Sequence, residues 1–279
     1  MENLYGVIGD PIHHSMSPLI HNFSFQKHGI NAHYTAFHVK AEKLEDAFKG
    51  FRAIQLAGLN VTIPHKQSII PLLDEVDPLA RDIGAVNTVV LEDGKYIGYN
   101  TDGPGFIRQL KNIDRHFSRK KVLIIGSGGA ARAIYFSLAK EKVQTIDIAN
   151  RTIQKARTII NDCPYQTESQ ALALIDAEKC LDQYDILIQT TSIGMFPNIH
   201  ETPIQIKRLK ENTIVIDIIY NPFETKFLQE AKKHQAIIAN GIDMFIHQAA
   251  LSFELWTNQA FPVEDTKKLV IKQLGGDKC

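Results

Sequence analysis

Short apolar runs alternate with helical patterns along the chain. Runs rich in valine, isoleucine and leucine suit parallel strands that are buried on both faces. The helical segments between them are typical of βαβ units, and the pattern therefore predicts an α/β protein. The predicted strands are 4–9, 33–39, 58–63, 121–126, 145–150, 185–190 and 213–220, and the predicted helices are 17–29, 43–54 and a region from Asp243 to the C-terminus.

A break in this pattern divides the chain in two. Its 279 residues correspond to roughly two domains, since a domain has about 150 residues. Asp102 could cap a new helix, with Pro104 in the first turn, and a basic stretch at 115–121 then leads into a fresh strand. We therefore place the boundary between 1–102 and 103–242. The final helical region, 243–279, could fold back on either half.

Composition and charge narrow the class of protein. The 31 basic and 31 acidic residues leave a formal charge of zero, whereas proteins that bind nucleic acid usually carry a basic excess. No apolar run reaches the roughly 18 residues of a membrane span, and the first residues do not have the pattern of a signal peptide. The three cysteines, Cys163, Cys180 and Cys279, fit neither a disulfide framework nor a zinc site. We expect a cytoplasmic protein with reduced thiols, no metal, and no nucleic-acid or membrane partner.

Residues 121–133, KVLIIGSGGAARA, place a glycine-rich turn between a predicted strand and a predicted helix. Residues 126–131 fit the pattern G-x-G-x-x-[GA], in which glycines let the backbone approach a pyrophosphate at a helix N-terminus. A tight turn without a ligand could use the same residues. The flanking strand and helix, and the next strand at 145–150, favour a dinucleotide site.

The end of that next strand indicates which dinucleotide binds. NAD enzymes usually carry an acid there for the ribose hydroxyls, but Asp147 lies inside the strand. Asn150, Arg151 and Thr152 occupy the tip, and Lys155 follows one helical turn later. Thr152 could simply cap the helix. Because Arg151 can pair with a 2′-phosphate through two parallel hydrogen bonds, we predict NADP as the cofactor.

Small polar clusters follow the strands of the first half. Ser15 and Ser17 could donate to one carboxylate, although Ser17 before a proline also suits a helix cap. Lys66 lies beyond the carboxyl end of a strand, where α/β sheets bind ligands, but a lysine in such a turn is more often a surface charge. The other clusters are Asn87-Thr88 and Asn100-Thr101-Asp102-Gly103.

Eight segments together resemble the shikimate dehydrogenase family, the NADP-dependent enzymes of aromatic amino-acid biosynthesis. They are HSMSP, NVTIPHK, GAVNT, YNTDGPG, GSGGAARA, NRT, DIIYNP and GIDMFIHQA. The segments stand in the family's order and spacing, and the resemblance runs from Gly6 to about Gln259. The resemblance therefore involves almost the whole chain rather than one common motif.

The resemblance implies a two-domain α/β fold with an active cleft between the domains. Residues 1–102, joined by the C-terminal helices of 243–279, would form an N-terminal α/β substrate-binding catalytic domain. Residues 103–242 would form a Rossmann-like doubly wound NADP-binding domain. The implied reaction is the reversible NADPH-dependent reduction of 3-dehydroshikimate to shikimate, a small-molecule substrate, by a monomer or homodimer.

The resemblance also implies roles for individual residues. The implied substrate residues are Ser15, Ser17, Thr62, Lys66, Asn87, Asp102, Tyr220 and Gln248. The implied cofactor residues are Gly126, Ser127, Gly128, Gly129, Ala130, Asn150, Arg151, Thr152, Lys155, Ile218 and Gly241. A ketone reduction needs a hydride, which the cofactor supplies, and a proton donor at the developing alkoxide. Our hypothesis is that Lys66 is the acid/base and that Asp102 is its partner.

Two other interpretations remain open. A sister enzyme could prefer quinate or use NAD, and the residues around the carboxylate would decide the first choice. A non-catalytic regulatory protein that senses NADP would need residues 126–155 but would have no reason to keep Lys66 and Asp102 in their motifs. Met195 could line the nicotinamide site or pack in the core.

Overall fold

The computed structural model describes residues 2–275. The strands are β1 (Asn3–Gly9), β2 (Ala32–His38), β3 (Gly58–Val61), β4 (Glu75–Val76), β5 (Thr88–Glu92), β6 (Lys95–Tyr99), β7 (Lys121–Ile125), β8 (Thr145–Ala149), β9 (Ala171–Leu172), β10 (Ile186–Gln189), β11 (Ile214–Asp217) and β12 (Ile237–Ala239). The α-helices are α1 (Ser17–Lys27), α2 (Leu44–Ala53), α3 (Pro78–Ile83), α4 (Asp102–Ile113), α5 (Gly129–Lys140), α6 (Ile153–Asp162), α7 (Leu174–Ala177), α8 (Lys226–Lys233), α9 (Ile242–Thr257) and α10 (Val263–Gln273).

The described residues form two compact units. Unit 1 contains the residues up to Gly105 together with Ile246–Gln273, and unit 2 contains Phe106–Phe245 together with Leu274 and Gly275. The divisions fall within α4 and α9, shortly after the positions at which the sequence pattern placed them. Residues 276–279, which we grouped with the C-terminal helices and which include Cys279, lie outside the described residues.

Unit 1 contains a mixed sheet with the strand order β2-β1-β3-β5-β6-β4. β1 runs parallel to β2 and β3, whereas β5 runs antiparallel to β3 and β6. The sequence analysis did not predict the β5–β6 hairpin. Its two-residue turn, Asp93-Gly94, has φ values of 49° and 79°, and two positive φ angles are what a type I′ hairpin turn requires.

Unit 2 contains a wholly parallel sheet with the strand order β12-β11-β10-β7-β8-β9. When the six strands are numbered 1 to 6 along the chain and read from β9 to β12, this is the 3-2-1-4-5-6 order of doubly wound dinucleotide-binding sheets. The predicted Rossmann-like fold is therefore confirmed. The central strands are continuous apolar runs, and Val122–Ile125 are fully buried, because helices cover both faces of such a sheet.

Each unit has a hydrophobic core of its own. In unit 1, Phe48 and Phe51 of α2 pack with residues of β3 and β5 such as Leu59 and Val89. In unit 2, residues of the central strands pack with Phe227 of α8. Burial of this apolar area is the main force that stabilises each unit.

Three features are absent from the described residues. Within residues 2–275, no helix is long and apolar enough to cross a membrane. No disulfide joins Cys163 to Cys180, the two cysteines of the described part. In the same part of the chain, no group of three or more His, Cys, Asp and Glu side chains is arranged to hold a metal ion.

Candidate active site

The β5–β6 hairpin brings together polar segments of unit 1 that are distant in sequence. Its register pairs Thr88 with Tyr99, so Asn87 lies beside the segment that leads into α4. On the other side of β5, Asn60 of β3 lies opposite Thr88. The carboxyl ends of β3 and β6 therefore lie beside the beginning of β5. The side chains of Asn60, Asn87 and Asp102 come together at these strand ends.

Lys66 and Asp102 form an ion pair beside these strand ends. Lys66 Nζ lies 2.5 Å from Asp102 Oδ2, and the two side chains are 27% and 15% exposed. The turn that carries Lys66 is anchored by the buried His65, whose ring nitrogen Nε2 donates to the Val39 carbonyl at 2.6 Å. Neighbouring residues cover most of both side chains, and the exposed part of Lys66 remains accessible to a ligand.

Asn87 holds the second carboxylate oxygen of Asp102. Its amide nitrogen Nδ2 donates to Asp102 Oδ1 at 2.9 Å. The backbone N–H of Thr101 donates to Asn87 Oδ1 at 2.7 Å, and this contact fixes which end of the amide faces Asp102. Both oxygens of Asp102 therefore accept hydrogen bonds from nitrogen donors in fixed positions.

Asn100 rather than Asp102 caps α4, so the capping interpretation of Asp102 is wrong. Asn100 Oδ1 accepts the backbone N–H of Asp102 at 3.1 Å. Asparagine is a good capping residue, because its side-chain oxygen reaches the first unpaired amides of a helix. The Asp102 carboxylate is thereby available to Lys66 and Asn87.

A buried network of polar side chains supports Asn87 from behind. The Tyr34 hydroxyl donates to Asn60 Oδ1 at 2.7 Å, and Asn60 Nδ2 lies 3.1 Å from both Thr88 Oγ1 and Ser252 Oγ. The two hydroxyl oxygens of Thr88 and Ser252 are 2.7 Å apart. Burial raises the pKa of Tyr34 well above its ordinary value, so its hydroxyl remains a donor. Sequence reasoning missed this network, because its members lie on three strands and a helix.

Ser15 and Ser17 lie together at the beginning of α1. The Ser15 hydroxyl oxygen accepts the backbone N–H of Ser17 at 3.3 Å. Met16 occupies the capping position and makes no side-chain capping bond, so Ser17 is the first helical residue and not the cap we considered. The Ser17 hydroxyl hydrogen-bonds the Tyr34 phenol, which lowers the pKa of Tyr34 against the larger effect of burial.

Thr62 and Gln248 are the remaining predicted substrate residues of unit 1. Thr62 follows β3, and its backbone N–H donates to the Ile8 carbonyl at 2.9 Å. Gln248 lies on α9, where a Cβ atom at Gly105 of α4 would be 2.7 Å from the Gln248 backbone nitrogen. Only glycine allows so close a contact. Gly105 therefore sets the position of Gln248 relative to Asp102, one turn earlier on α4.

The glycine-rich turn of unit 2 joins β7 to α5 where the strand order of the sheet reverses. Gly126 has a φ of 113°, and a Cβ there would lie 2.5 Å from Thr190 Oγ1 at the end of β10. Gly128 and Gly129 are exposed, and a Cβ on either would meet no atom within 4 Å. Within α5, the Arg132 N–H donates to the Gly128 carbonyl at 3.0 Å. The amides of 129–131 precede that bond and are placed to hold an anion.

The polar residues after β8 lie on the surface of unit 2. Asn150 Nδ2 donates to the Thr152 carbonyl at 2.9 Å. Thr152 occupies the capping position of α6, although its hydroxyl makes no capping bond. Arg151 and Lys155 are exposed, and neither forms an ion pair within residues 2–275. Two cations without acidic partners are suited to a phosphate group.

Asp147, the rival acid, is engaged inside unit 2. It is 3% exposed in the middle of β8. Its carboxylate accepts the Tyr184 hydroxyl at 2.7 Å and the Gln170 backbone N–H at 2.8 Å. These contacts leave Asp147 a structural role rather than a role at the tip of the strand.

Ile218 and Gly241 touch through their backbones. The Gly241 N–H donates to the Ile219 carbonyl at 3.0 Å, and a Cβ on Gly241 would lie 1.9 Å from the Ile218 carbonyl oxygen. Tyr220 follows in the same loop, with its ring 5.4 Å from that of Phe245. Burial raises the pKa of Tyr220, so its hydroxyl stays protonated and able to donate.

Asp217 lies in the DIIYNP segment, but no role was predicted for it from the sequence. Asp217 is fully buried at the end of β11. Burial raises the pKa of its carboxyl to about 6, against hydrogen bonds from Thr225, the Ile219 N–H and Gln189. The feature of the sequence that could have indicated a role for Asp217 is an acidic residue at the end of an apolar strand. Met195, in contrast, is 45% exposed and does not pack in the core.

The predicted residues divide between the units by ligand. All of the predicted substrate residues except Tyr220 belong to unit 1, and all of the predicted cofactor residues belong to unit 2. The structure brings Lys66, Asn87 and Asp102 into one cluster.

The doubly wound sheet with its glycine turn is typical of enzymes that bind a dinucleotide, and the Lys66 cluster is suited to the acid/base chemistry of an oxidoreductase. A shikimate dehydrogenase (NADP⁺) of Bacillus cereus (strain AH820) is 56% identical over 277 residues, which are 99% of this chain and 100% of that protein. This chain belongs to the shikimate dehydrogenase family.

Three family models match successive parts of the chain. The shikimate dehydrogenase substrate-binding domain matches residues 7–89, the shikimate / quinate 5-dehydrogenase model matches residues 108–233, and the shikimate 5′-dehydrogenase C-terminal domain matches residues 241–271. The matches follow the order that the eight segments indicated, so the predicted family is confirmed.

Two solved structures are similar over almost the whole chain. A shikimate dehydrogenase in complex with NADP⁺ is 42% identical with a TM-score of 0.92, covering 98% of this chain and 96% of the other. A shikimate 5-dehydrogenase from Listeria monocytogenes, in complex with shikimate and NAD, is 35% identical with a TM-score of 0.91, covering 96% of each chain.

Proposed function

We propose that this protein catalyses the reversible NADPH-dependent reduction of 3-dehydroshikimate to shikimate, a step of aromatic amino-acid biosynthesis. The observation that carries the proposal is the Lys66–Asp102–Asn87 cluster, with contacts of 2.5 and 2.9 Å to the two carboxylate oxygens. Conversion of a ring ketone to an alcohol requires a proton donor at the ketone oxygen. Lys66 is a cation that is held in place and remains partly exposed, as such a donor must be.

Lys66 is the acid in the direction of reduction and the base in the reverse direction. NADP, when bound, supplies the hydride or accepts it. Lys66 Nζ stabilises the negative charge that develops on the ketone oxygen and gives that oxygen a proton. Asp102 keeps Nζ in position through its 2.5 Å hydrogen bond. Because Asn87 holds the other carboxylate oxygen, Asp102 cannot turn away from Lys66.

Substrate recognition depends on hydroxyl and amide groups. The substrate carboxylate is bound by Ser15, Ser17 and Tyr220, and the ring hydroxyls are held by Thr62, Lys66, Asn87 and Asp102. Gln248 also binds the substrate. A site of this kind rejects an analogue that lacks a hydroxyl, since its own polar groups would be left unpaired. Quinate differs next to the carboxylate, so the two serines and Tyr220 decide whether it is accepted.

NADP is the cofactor, and the residues of unit 2 fit its phosphates. The amides and small residues of 126–130 suit a pyrophosphate, because a ligand can approach the backbone at Gly128 and Gly129. The 2′-phosphate is held by Asn150, Arg151, Thr152 and Lys155. Ile218 and Gly241 contact the nicotinamide half.

Replacement of the lysine tests the proposed chemistry. Lys66→Ala should lower kcat for shikimate by about 10²- to 10⁴-fold, the usual contribution of a positioned acid/base, with little change in KM. Lys95→Ala is the matched control, because Lys95 also pairs with an acid, Glu75, at 2.7 Å in unit 1. An unchanged kcat in Lys66→Ala would remove Lys66 from the mechanism.

The proposal includes a cytoplasmic protein that is a monomer or a homodimer. The even balance of 31 basic and 31 acidic residues gives no charge-based reason for a nucleic-acid partner. Light scattering coupled to gel filtration measures the oligomeric state, and a species larger than a dimer would contradict this part of the proposal.

A further inference from the structure

Two buried polar side chains lie side by side at the carboxyl ends of β10 and β11, and the proposed chemistry uses neither. Gln189 and Asp217 are register partners on these neighbouring strands, and both are fully buried. Burial of a carboxylate is costly unless its hydrogen bonds are satisfied. The contacts of the pair therefore show what it does for the fold.

Asp217 organises the loop that follows β11. Its Oδ1 accepts the Ile219 backbone N–H at 2.9 Å, and its Oδ2 accepts the Thr225 hydroxyl at 2.7 Å. Thr225 is in turn the N-cap of α8, where its oxygen accepts the Leu228 N–H. The carboxylate therefore closes the segment 218–225 on itself and joins it to the next helix.

Gln189 organises the loop that follows β10. Its Nε2 donates to the carbonyls of Thr191 and Ile193 at 3.2 and 3.1 Å, and its side chain also hydrogen-bonds Asp217. The two loops meet again where the Phe196 N–H donates to the Asn221 carbonyl at 3.2 Å. Gln189 and Asp217 thus connect the two loops at the carboxyl ends of their strands, which is where doubly wound sheets bind ligands.

The peptide bond between Ile218 and Ile219 is clamped from both sides. Asp217 Oδ1 holds its N–H, and its carbonyl lies against Gly241, where a Cβ would be 1.9 Å from the oxygen. The Ile218 N–H also donates to the Gln189 carbonyl at 3.1 Å. With the peptide plane fixed, the direction of the Ile218 side chain and the path of the chain to Tyr220 are fixed as well.

We propose that Asp217, supported by Gln189, is a positioning residue that holds Ile218 and Tyr220 in place for the nicotinamide and the substrate. The inference rests on the proposed function for the roles of those two residues. Asp217 acts through the peptide bond that it clamps and needs no contact with either ligand.

Three variants separate positioning from stability. Asp217→Ala removes the acceptor for the Ile219 N–H. Asp217→Asn keeps an oxygen for that N–H, and its amide nitrogen can donate to the Thr225 oxygen. Asp147→Ala is the matched control, because Asp147 is also a buried strand acid of the same sheet that accepts a hydroxyl and a backbone N–H.

The Kd for NADP⁺, measured by titration calorimetry without substrate, and the KM for shikimate are the two readouts. Asp217→Ala should raise both by roughly tenfold, about the effect of losing one ligand contact when Ile218 and Tyr220 shift. Asp217→Asn should restore both to within about threefold, since the N–H keeps its acceptor. Asp147→Ala should lower the melting temperature and leave both values unchanged.

Wild-type values in Asp217→Ala, or an equal rise in Asp147→Ala, would overturn the proposal. If Asp217→Ala does not fold, Asp217→Leu carries the same test, because it fills similar volume without a buried charge. If the wild-type protein does not oxidise shikimate, the proposed function fails, whereas the Kd for NADP⁺ still tests the clamp.

Discussion

Replacement of Asp102 by asparagine changes one carboxylate oxygen to an NH₂ group. Both carboxylate oxygens face hydrogen-bond donors, so neither position accommodates a further donor. The two carboxylate oxygens accept from Lys66 Nζ at 2.5 Å and from Asn87 Nδ2 at 2.9 Å. Asn87 cannot rotate its amide, because the Thr101 N–H holds its oxygen at 2.7 Å. In Asp102→Asn the new NH₂ group therefore faces either Lys66 or Asn87, and a donor meets a donor in both orientations.

The expected loss follows from the hydrogen bonds that disappear. A hydrogen bond to a charged group contributes about 1.5–3 kcal/mol, and about 1.4 kcal/mol corresponds to a tenfold change in rate. One of the two hydrogen bonds is lost in either orientation, so kcat/KM for shikimate should fall by about 10- to 150-fold. The reason is that Lys66 loses either its own partner or the Asn87 contact that holds this partner in place.

Initial rates of NADPH formation from shikimate give kcat/KM for the variant and for a control. Asp74→Asn makes the same chemical change in unit 1, where Asp74 pairs with Arg52 at 2.9 Å, and it should leave kcat/KM unchanged. A kcat/KM for Asp102→Asn within twofold of the wild-type value would refute the argument that both oxygens must accept.

Three further predictions concern the cofactor and stability. Arg151→Ser should raise the KM for NADP⁺ by about 10- to 150-fold, since charge-assisted bonds to the 2′-phosphate are lost; an equal rise in the KM for NAD⁺ would contradict this role. Gly241→Ala places a Cβ 1.9 Å from the Ile218 carbonyl oxygen, so calorimetry should show weaker NADP⁺ binding and a lower melting temperature, and a wild-type Kd would count against that contact. Burial lowers the pKa of His21 to about 3, so only the unfolded chain takes up this proton as the pH falls from about 6.5, and the free energy of unfolding should decrease by about 1.4 kcal/mol per pH unit down to pH 3. His21→Phe should lose this contribution in urea titrations at pH 7 and pH 5, and the same pH dependence in both proteins would disprove it.

The four central strands of unit 2 could be predicted from the sequence, because they are apolar runs buried on both faces. The predicted strand at 121–126, for example, is observed as β7, Lys121–Ile125. The short outer strands β9 and β12 are only partly buried and were not predicted. The hairpin of unit 1 was not predicted, because β5 and β6 pair antiparallel, whereas the apolar runs were interpreted as parallel strands. The signal was present in Asp93-Gly94, since an Asp-Gly pair between two strand-like runs favours a type I′ turn.

The residue types of the candidate site could be predicted, but their arrangement depends on the hairpin. Asn87 and Asp102 meet because Thr88 is paired with Tyr99, a register that the two-residue turn at Asp93-Gly94 fixes. The orientation of Asn87 depends on a backbone N–H, that of Thr101, which a sequence does not reveal. The clamp at Asp217 was missed for a similar reason, because its partners are the N–H of Ile219 and the hydroxyl of Thr225.

The most direct test of the proposed function is the initial rate of NADP⁺ reduction with shikimate, measured beside the same assay with quinate and with NAD⁺. We expect rapid turnover only with shikimate and NADP⁺, because Arg151 favours the 2′-phosphate and the Lys66 cluster supports the chemistry. Comparable rates with quinate or NAD⁺ would contradict the specificity assigned to the serines and to Arg151. Tight NADP⁺ binding without turnover of either acid would contradict the proposed function itself and favour a protein that senses NADP.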